Sequence, residues 1–153
     1  MFGLFKKKPV LRADYPVVDG CYAMTEDWSI QLPLPFNRRF EEGSLVLWRP
    51  GVTAWIMAWG NDHGESVDAR MRAQKARRAP AAFDERAFTA DGVGYQFYRL
   101  QEQADDDRVA AAYAFAFSDA GHVQMAIYFD REDDLPVAES LWKGLQAIKA
   151  RRP

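Results

Sequence analysis

The alternation of apolar and polar residues along the chain predicts two clear β-strands, at residues 28–32 and 123–129. In the first, Trp28, Ile30 and Leu32 alternate with polar side chains, and the second has the same period. Successive side chains of a strand point to opposite faces of a sheet, so this pattern is typical of strands with one buried face. Turn-forming residues predict further strands between them, at 36–41, 45–48, 83–88, 95–100 and 109–117.

The period of the apolar residues changes to that of a helix after residue 134. The residues at this spacing are Ala138, Leu141, Trp142, Leu145 and Ile148. They predict an amphipathic C-terminal helix that continues through residue 148, with Asp133 or Asp134 as its cap. A second helix is predicted to begin at a capping box of Asp62 and Glu65 and to end before Pro80.

The segment 52–59 is the most apolar strand of the chain. Its two faces carry Val52, Ala54, Ile56 and Ala58 on one side, and Thr53, Trp55, Met57 and Trp59 on the other. Two apolar faces indicate a central strand that is covered on both sides, or a strand with one face against a partner.

The strand at 109–117 separates large side chains from alanines. Val109, Tyr113, Phe115 and Phe117 share one face, and alanines at 110, 112, 114 and 116 form the other. A helix packed closely on the small residues is expected, because protein interiors are close-packed. The alternative is that the alanine face forms the floor of a groove for a small apolar ligand.

These elements predict an α+β protein with an antiparallel β-sheet, flanking helices and the C-terminal helix packed on the sheet. A chain of 153 residues is long enough for one domain. We expect a flexible N-terminal tail at residues 1–15 and a single α+β domain at residues 16–153.

Composition narrows the classes of function. A net charge of −2 provides no general attraction for nucleic acid, and the lone Cys21 excludes an internal disulfide. A cytoplasmic protein is therefore expected. Phe2, Leu4 and Phe5 precede three lysines. A tail that binds nothing is the favoured interpretation of residues 1–8, and membrane contact through them is the alternative.

Candidates for catalysis are few. His63 lies beside Asp62, Glu65 and Ser66 in sequence, which suggests a hydrolase relay or a metal site. Members of a triad usually come from different elements, so a polar helix cap is the favoured interpretation. His122 is expected at a turn facing water, and Cys21 as a small buried residue. No catalytic residue, metal site or cofactor is predicted.

Two features are candidates for binding a partner protein. The first is the face with Trp55, Met57 and Trp59, because Trp is enriched at binding hot spots and Met adapts to irregular apolar surfaces. Its alternative is ordinary core beneath a helix. The second is the basic helix that contains Arg70 and Arg77, for which a solvated surface is the alternative.

The residues Trp28-Ser29-Ile30-Gln31-Leu32-Pro33 and Ala138-Glu139-Ser140-Leu141-Trp142 carry a family resemblance. With the order of elements, they make residues 26–150 resemble the PsbP-like fold group, which includes bacterial DcrB-like proteins. The resemblance implies an α/β/α sandwich with an antiparallel sheet and no catalytic residues. Members of this group mostly act by binding, as a Ran-binding nuclear-transport factor, photosystem extrinsic subunits and adaptor chaperones of type VI secretion effectors.

The sequence therefore predicts a non-enzymatic protein-binding module, as an adaptor, chaperone or immunity-like protein with a possible link to type VI secretion. One alternative is a protein that binds a small apolar ligand. The other is a hydrolase that uses His63. Fold alone does not supply function, so these predictions depend on the site.

Overall fold

The computed structural model describes residues 11–102 and 108–149. Within them it forms two helices, α1 (Val67–Arg77) and α2 (Leu135–Lys143). The strands are β1 (Val17–Val18), β2 (Cys21–Ala23), β3 (Trp28–Gln31), β4 (Phe36–Glu41), β5 (Ser44–Arg49), β6 (Val52–Gly60), β7 (Phe83–Ala90), β8 (Val93–Leu100), β9 (Ala111–Phe117), β10 (Gly121–Phe129) and β11 (Leu145–Ala147).

The strands form two sheets, and every described pair of strands is antiparallel. The large sheet has the order β1-β4-β5-β6-β10-β9-β8-β7, and the small sheet has the order β11-β3-β2. The strands β6 and β10 are therefore the central pair of the large sheet. The α+β class with an antiparallel sheet and a C-terminal helix is confirmed.

One face of the large sheet forms the main core. Ala112, Ala114 and Ala116 of β9 lie on this face and are completely buried beneath α2, whose Leu141 and Trp142 belong to the same apolar cluster. The indole nitrogen of Trp142 donates a hydrogen bond of 3.2 Å to the backbone oxygen of Phe115. The expectation of a helix packed on the small residues is confirmed. Trp142 fills the space that the alternative, a groove for a small apolar ligand, would need.

Helix α2 is shorter than the sequence predicts. The apolar period continues to Ile148, but the helix ends at Lys143 and Leu145 begins β11, which pairs with β3. The reason is a close approach at Gly144, where a Cβ atom would overlap the backbone oxygen of Gln31. The chain can thus leave the helix and extend along β3.

Helix α1 begins later than predicted. Its N-cap is Ser66, whose hydroxyl accepts a hydrogen bond of 3.0 Å from the amide of Ala69, so the predicted cap at Asp62 is wrong. The residues before it form a loop, in which the side chain of Asn61 bonds to both the amide and the carbonyl of Glu65. An Asn that satisfies nearby backbone groups competes with helix formation.

Helix α1 packs on the face of the large sheet opposite to α2. It crosses β8 at Gly94, where a Cβ atom would overlap Met71 and Val67. Gln96 of β8 donates a hydrogen bond of 2.8 Å to the backbone oxygen of Met71. The helix covers β8 and part of β9. It does not cover the central strands β6 and β10.

Candidate partner-binding groove

The two faces of β6 differ in burial although both are apolar. Val52, Ala54 and Ile56 point into the main core and are buried. On the opposite face, Met57 is 40% exposed and Trp59 is 41% exposed. The sequence left open whether both faces of this strand are covered. In the described residues, one face is covered and the other is open.

Strand β10 extends the open face. The register places Gln124 beside Met57, Ala126 beside Trp55 and Tyr128 beside Thr53. Tyr128 is 39% exposed, and the other two β10 residues are half-buried. These three residues were not predicted as part of a site, because their alternation shows that they share a face but does not show which strand lies next to them.

Helix α1 forms one wall beside the open face. Ala73 and Arg77 face Phe117 and His122 across a cavity of about 240 Å³. Arg77 is exposed here. Arg70, the other basic candidate from the sequence, is buried and donates hydrogen bonds to backbone oxygens of the turn between β9 and β10. Arg70 thus attaches the helix to the sheet, and Arg77 is the cation available at this wall.

The segment before β1 forms the opposite wall. The side-chain oxygen of Asn37 accepts a hydrogen bond of 2.7 Å from the amide of Arg12, and its amide group donates one of 2.8 Å to the Arg12 carbonyl. The ring of Tyr15 contacts that of Trp48 edge to face, with centroids 4.8 Å apart. Residues 1–10 of the predicted tail lie outside the described residues, whereas Arg12 and Tyr15 pack on the sheet.

Arg39 of β4 shows that this wall and the central strands share a face. Its guanidinium lies 4.7 Å from the ring centroid of Trp48 and 5.5 Å from that of Trp55. It also pairs with Glu41 at 3.0 Å. We call the surface between the two walls the groove; its floor is formed by Trp55, Met57, Trp59, Gln124, Ala126 and Tyr128.

His122 lies at one end of the groove. Its ring stacks between Trp59 and Phe117, with centroids 4.8 and 5.4 Å apart. The expectation that it faces water at a turn is wrong, because His122 belongs to β10 and is half-buried. Burial lowers the pKa of His122, and the charges of Arg70 and Arg77 lower it further. The neutral imidazole is therefore favoured, and it adds a third ring to an aromatic stack.

A carboxylate lies at the other end of the groove. Glu102 accepts a hydrogen bond of 3.1 Å from the hydroxyl of Tyr128 and another from the hydroxyl of Tyr113. The pKa of Tyr128 is raised, first by burial and then by its bond to Glu102. The groove thus has an apolar floor, with Arg77 near one end and Glu102 near the other.

The catalytic candidates His63, Asp62 and Glu65 line the same cavity as His122 and Arg77, but no contact joins them into a catalytic set. His63 is exposed, and no hydrogen bond or ion pair joins it to Asp62, Glu65 or Ser66. In the ranges 11–102 and 108–149, no three His, Cys, Asp or Glu side chains are grouped so that they could hold a metal ion. Cys21 is exposed, contrary to the expectation of a small buried residue.

Neither α1 nor α2, the two helices in the described part of the chain, is long and apolar enough to cross a membrane. The predicted membrane contact through residues 1–8 falls outside the described residues.

The groove can therefore bind an apolar surface, and its side chains offer no nucleophile with an adjacent base. The chain fits no protein-family model and is significantly similar to none of the curated proteins.

Proposed function

We propose that this protein is a non-enzymatic, cytoplasmic protein-binding module whose groove holds an apolar segment of a partner protein. The observation that carries this proposal is the exposure of Met57 and Trp59 on β6. The open face of an antiparallel sheet is normally polar, because it faces water. Here it is apolar in the middle of the sheet, and an apolar surface framed by polar residues is typical of an interaction site.

The walls restrict the shape of what can bind. Neighbouring strands lie about 4.8 Å apart, so a floor of two strands with its margins is about 10–15 Å wide. This width is close to the diameter of one α-helix with its side chains, about 10–12 Å. We therefore expect a single helix or one extended segment in the groove, and a flat surface of a large protein would meet α1 first.

The residue types of the floor favour a protein partner. Trp59 offers a large rigid ring and Met57 an adaptable apolar side chain, which are common in binding hot spots. Arg77 at the wall suits a carboxylate of the partner. Nucleic acid is not expected to bind, because the chain has a net charge of −2 and one cation of α1, Arg70, is buried in the fold.

We also propose that the fold is a PsbP-like α/β/α sandwich. The positions of α1 and α2 on opposite faces of the large sheet support this arrangement. Proteins of the group that the chain resembles mostly act by binding. Roles as an adaptor, chaperone or immunity-like protein, including one in type VI secretion, follow only from that resemblance.

The experiment compares the proteins that the purified chain retains from extracts of its native host, measured by quantitative mass spectrometry. The test variant is Met57→Gln/Trp59→Gln. The matched control is Phe40→Gln, which replaces an exposed aromatic residue on the opposite face of β4. Loss of a hot-spot Trp typically weakens binding by about 2 kcal/mol or more, roughly 30-fold.

We expect the wild type and Phe40→Gln to retain the same partner and the groove variant to lose it. Circular dichroism must show that all three chains remain folded. Retention of the same proteins by the groove variant would contradict the proposal. A small apolar molecule found on the wild type by native mass spectrometry, and missing from the groove variant, would instead favour the function as a ligand-binding protein.

A further inference from the structure

The described chain begins on the wall of the groove. Arg12 is held there by two hydrogen bonds with Asn37, whose side chain is buried, and Tyr15 is held by its ring contact with Trp48. Trp48 shares its face with Trp55, since Arg39 covers both rings. The described chain therefore starts beside the groove, on its open side.

These ten residues have the composition of a groove ligand. Phe2, Leu4 and Phe5 are large apolar side chains, and they are followed by Lys6, Lys7 and Lys8. The groove lacks an apolar cover over Met57 and Trp59 in the described part of the chain. Glu102 at its Tyr128 end carries a charge opposite to that of the lysines.

The distance is within reach. Five residues lie between Phe5 and Leu11, and the six steps from one Cα atom to the next can span up to about 20 Å. Asn37, which holds Arg12, pairs with Trp48, and Trp48 pairs with Thr53, so Met57 lies two strands away from Asn37 and four residues along β6. At about 4.8 Å per strand and 3.3 Å per residue, this displacement is about 16 Å.

We propose that the side chains of Phe2, Leu4 and Phe5 occupy the groove in the free protein. An attached segment binds at a high effective concentration, so even weak contacts are occupied much of the time. A partner segment must then displace residues 1–10, which makes them a built-in competitor for the site. Only this competition rests on the function proposed above, whereas occupancy of the groove does not require any partner.

The test uses the full chain with Cys21→Ser and one pair of new cysteines. The test pair is Phe5→Cys with Met57→Cys, and the control pair is Phe5→Cys with Phe40→Cys. Phe40 is exposed on the opposite face of the strand that holds Asn37, three residues along from the attachment point, so it is within reach of the same segment. Mild oxidation should join the test pair within one chain several-fold more completely than the control pair.

Equal yields of the two pairs would overturn the proposal. A disulfide-linked dimer from the test pair would also overturn it, because a second copy would then cover the groove. Neither outcome bears on whether a partner protein binds, so a failure here is distinct from a failure of the proposed function.

A second measurement avoids new cysteines. The variant Phe2→Ser/Leu4→Ser/Phe5→Ser should bind the apolar dye ANS several-fold more than the wild type, since it leaves the groove uncovered. Unchanged dye binding would contradict the proposal. The same outcome together with loss of co-sedimentation on anionic phosphatidylglycerol vesicles would show that these residues bind a membrane surface instead.

Discussion

The guanidinium group of Arg70 donates a hydrogen bond of 3.0 Å to the backbone oxygen of Gly121. It also bonds to the backbone oxygen of Ser118 and lies 5.8 Å from the ring centroid of Phe117. Arg70 is the one buried residue of α1, since Val67 and Met71 are only half-buried. A charged side chain thus provides the attachment that apolar residues supply in most surface helices.

The first prediction concerns this attachment. Arg70→Ala should lower the free energy of unfolding by about 2–3 kcal/mol, because two buried carbonyl groups lose a charged donor. Arg72→Ala, on the exposed side of the same helix, should change it by no more than about 0.5 kcal/mol. Urea unfolding followed by circular dichroism measures both. Similar values for the two variants would show that α1 is held by other contacts.

The second prediction concerns pH and His122. Its pKa in the folded protein is lower than its usual value of 6.5, mainly because of burial. The unfolded chain therefore binds a proton more readily, so the contribution of His122 to stability is complete above pH 6.5 and decreases as the pH falls below it. The free energy of unfolding should accordingly decline from pH 7 to pH 5 with a component due to His122.

The control for this prediction is a pair of substitutions. His122→Phe keeps a ring between Trp59 and Phe117 and should flatten the pH profile, whereas His63→Gln removes the other histidine and should leave the decline in place. Urea unfolding at a series of pH values gives the profiles. The explanation fails if His122→Phe retains the full decline.

The alternation of apolar residues was sufficient to predict most of the strands, including β3, and to assign the side chains of β6 to its two faces, although it did not show which face is open. It was sufficient because side-chain direction in a strand depends only on position along the chain. The groove was not predictable in the same way. It exists because Tyr128 and Ala126 lie next to β6 and because α1 ends its coverage at β9, and both facts depend on strand register and helix position.

The end of α2 shows the opposite case, in which a correct periodic pattern gave a wrong boundary. Leu145 and Ile148 continue the helical spacing, but Leu145 is buried as a strand residue opposite Ile30. The amide of Ile148 donates a hydrogen bond of 2.8 Å to the backbone oxygen of Asp27. A pairing partner more than a hundred residues earlier in the chain thus overrides local periodicity, and sequence spacing alone does not contain that information.

The third prediction follows from this boundary. Gly144→Ala should destabilise the protein by about 1–3 kcal/mol, because the new Cβ atom overlaps the backbone oxygen of Gln31, which is fixed in β3. The φ angle of Gly144 is −80°, so alanine meets no backbone strain and the effect is purely one of space. Lys143→Ala, at the exposed preceding position, is the control. A smaller effect of Gly144→Ala than of Lys143→Ala on the thermal midpoint would contradict this explanation.

The fourth prediction concerns the ion pair of Arg99 and Glu132. The side chain of Arg99 is only 7% exposed and lies between the rings of Phe83 and Phe129, whereas that of Glu132 is 60% exposed. Glu132→Gln should lower the free energy of unfolding at pH 7 by about 2 kcal/mol, because a buried guanidinium loses its countercharge. Asp133→Asn removes an exposed pair with Arg131 and should have almost no effect.

The pH dependence distinguishes loss of charge from loss of shape. Arg99 lowers the pKa of Glu132 below its usual value of 4.5, so the stability that the carboxylate contributes is complete above pH 4.5 and is lost as the pH falls through the lowered pKa. The protonated carboxyl is then nearly equivalent to the amide of the variant. The difference between wild type and Glu132→Gln in urea unfolding should therefore shrink toward zero below that pH. A difference that persists in acid would mean that the amide disturbs the packing around Arg99, and the charge would not be what stabilises this site.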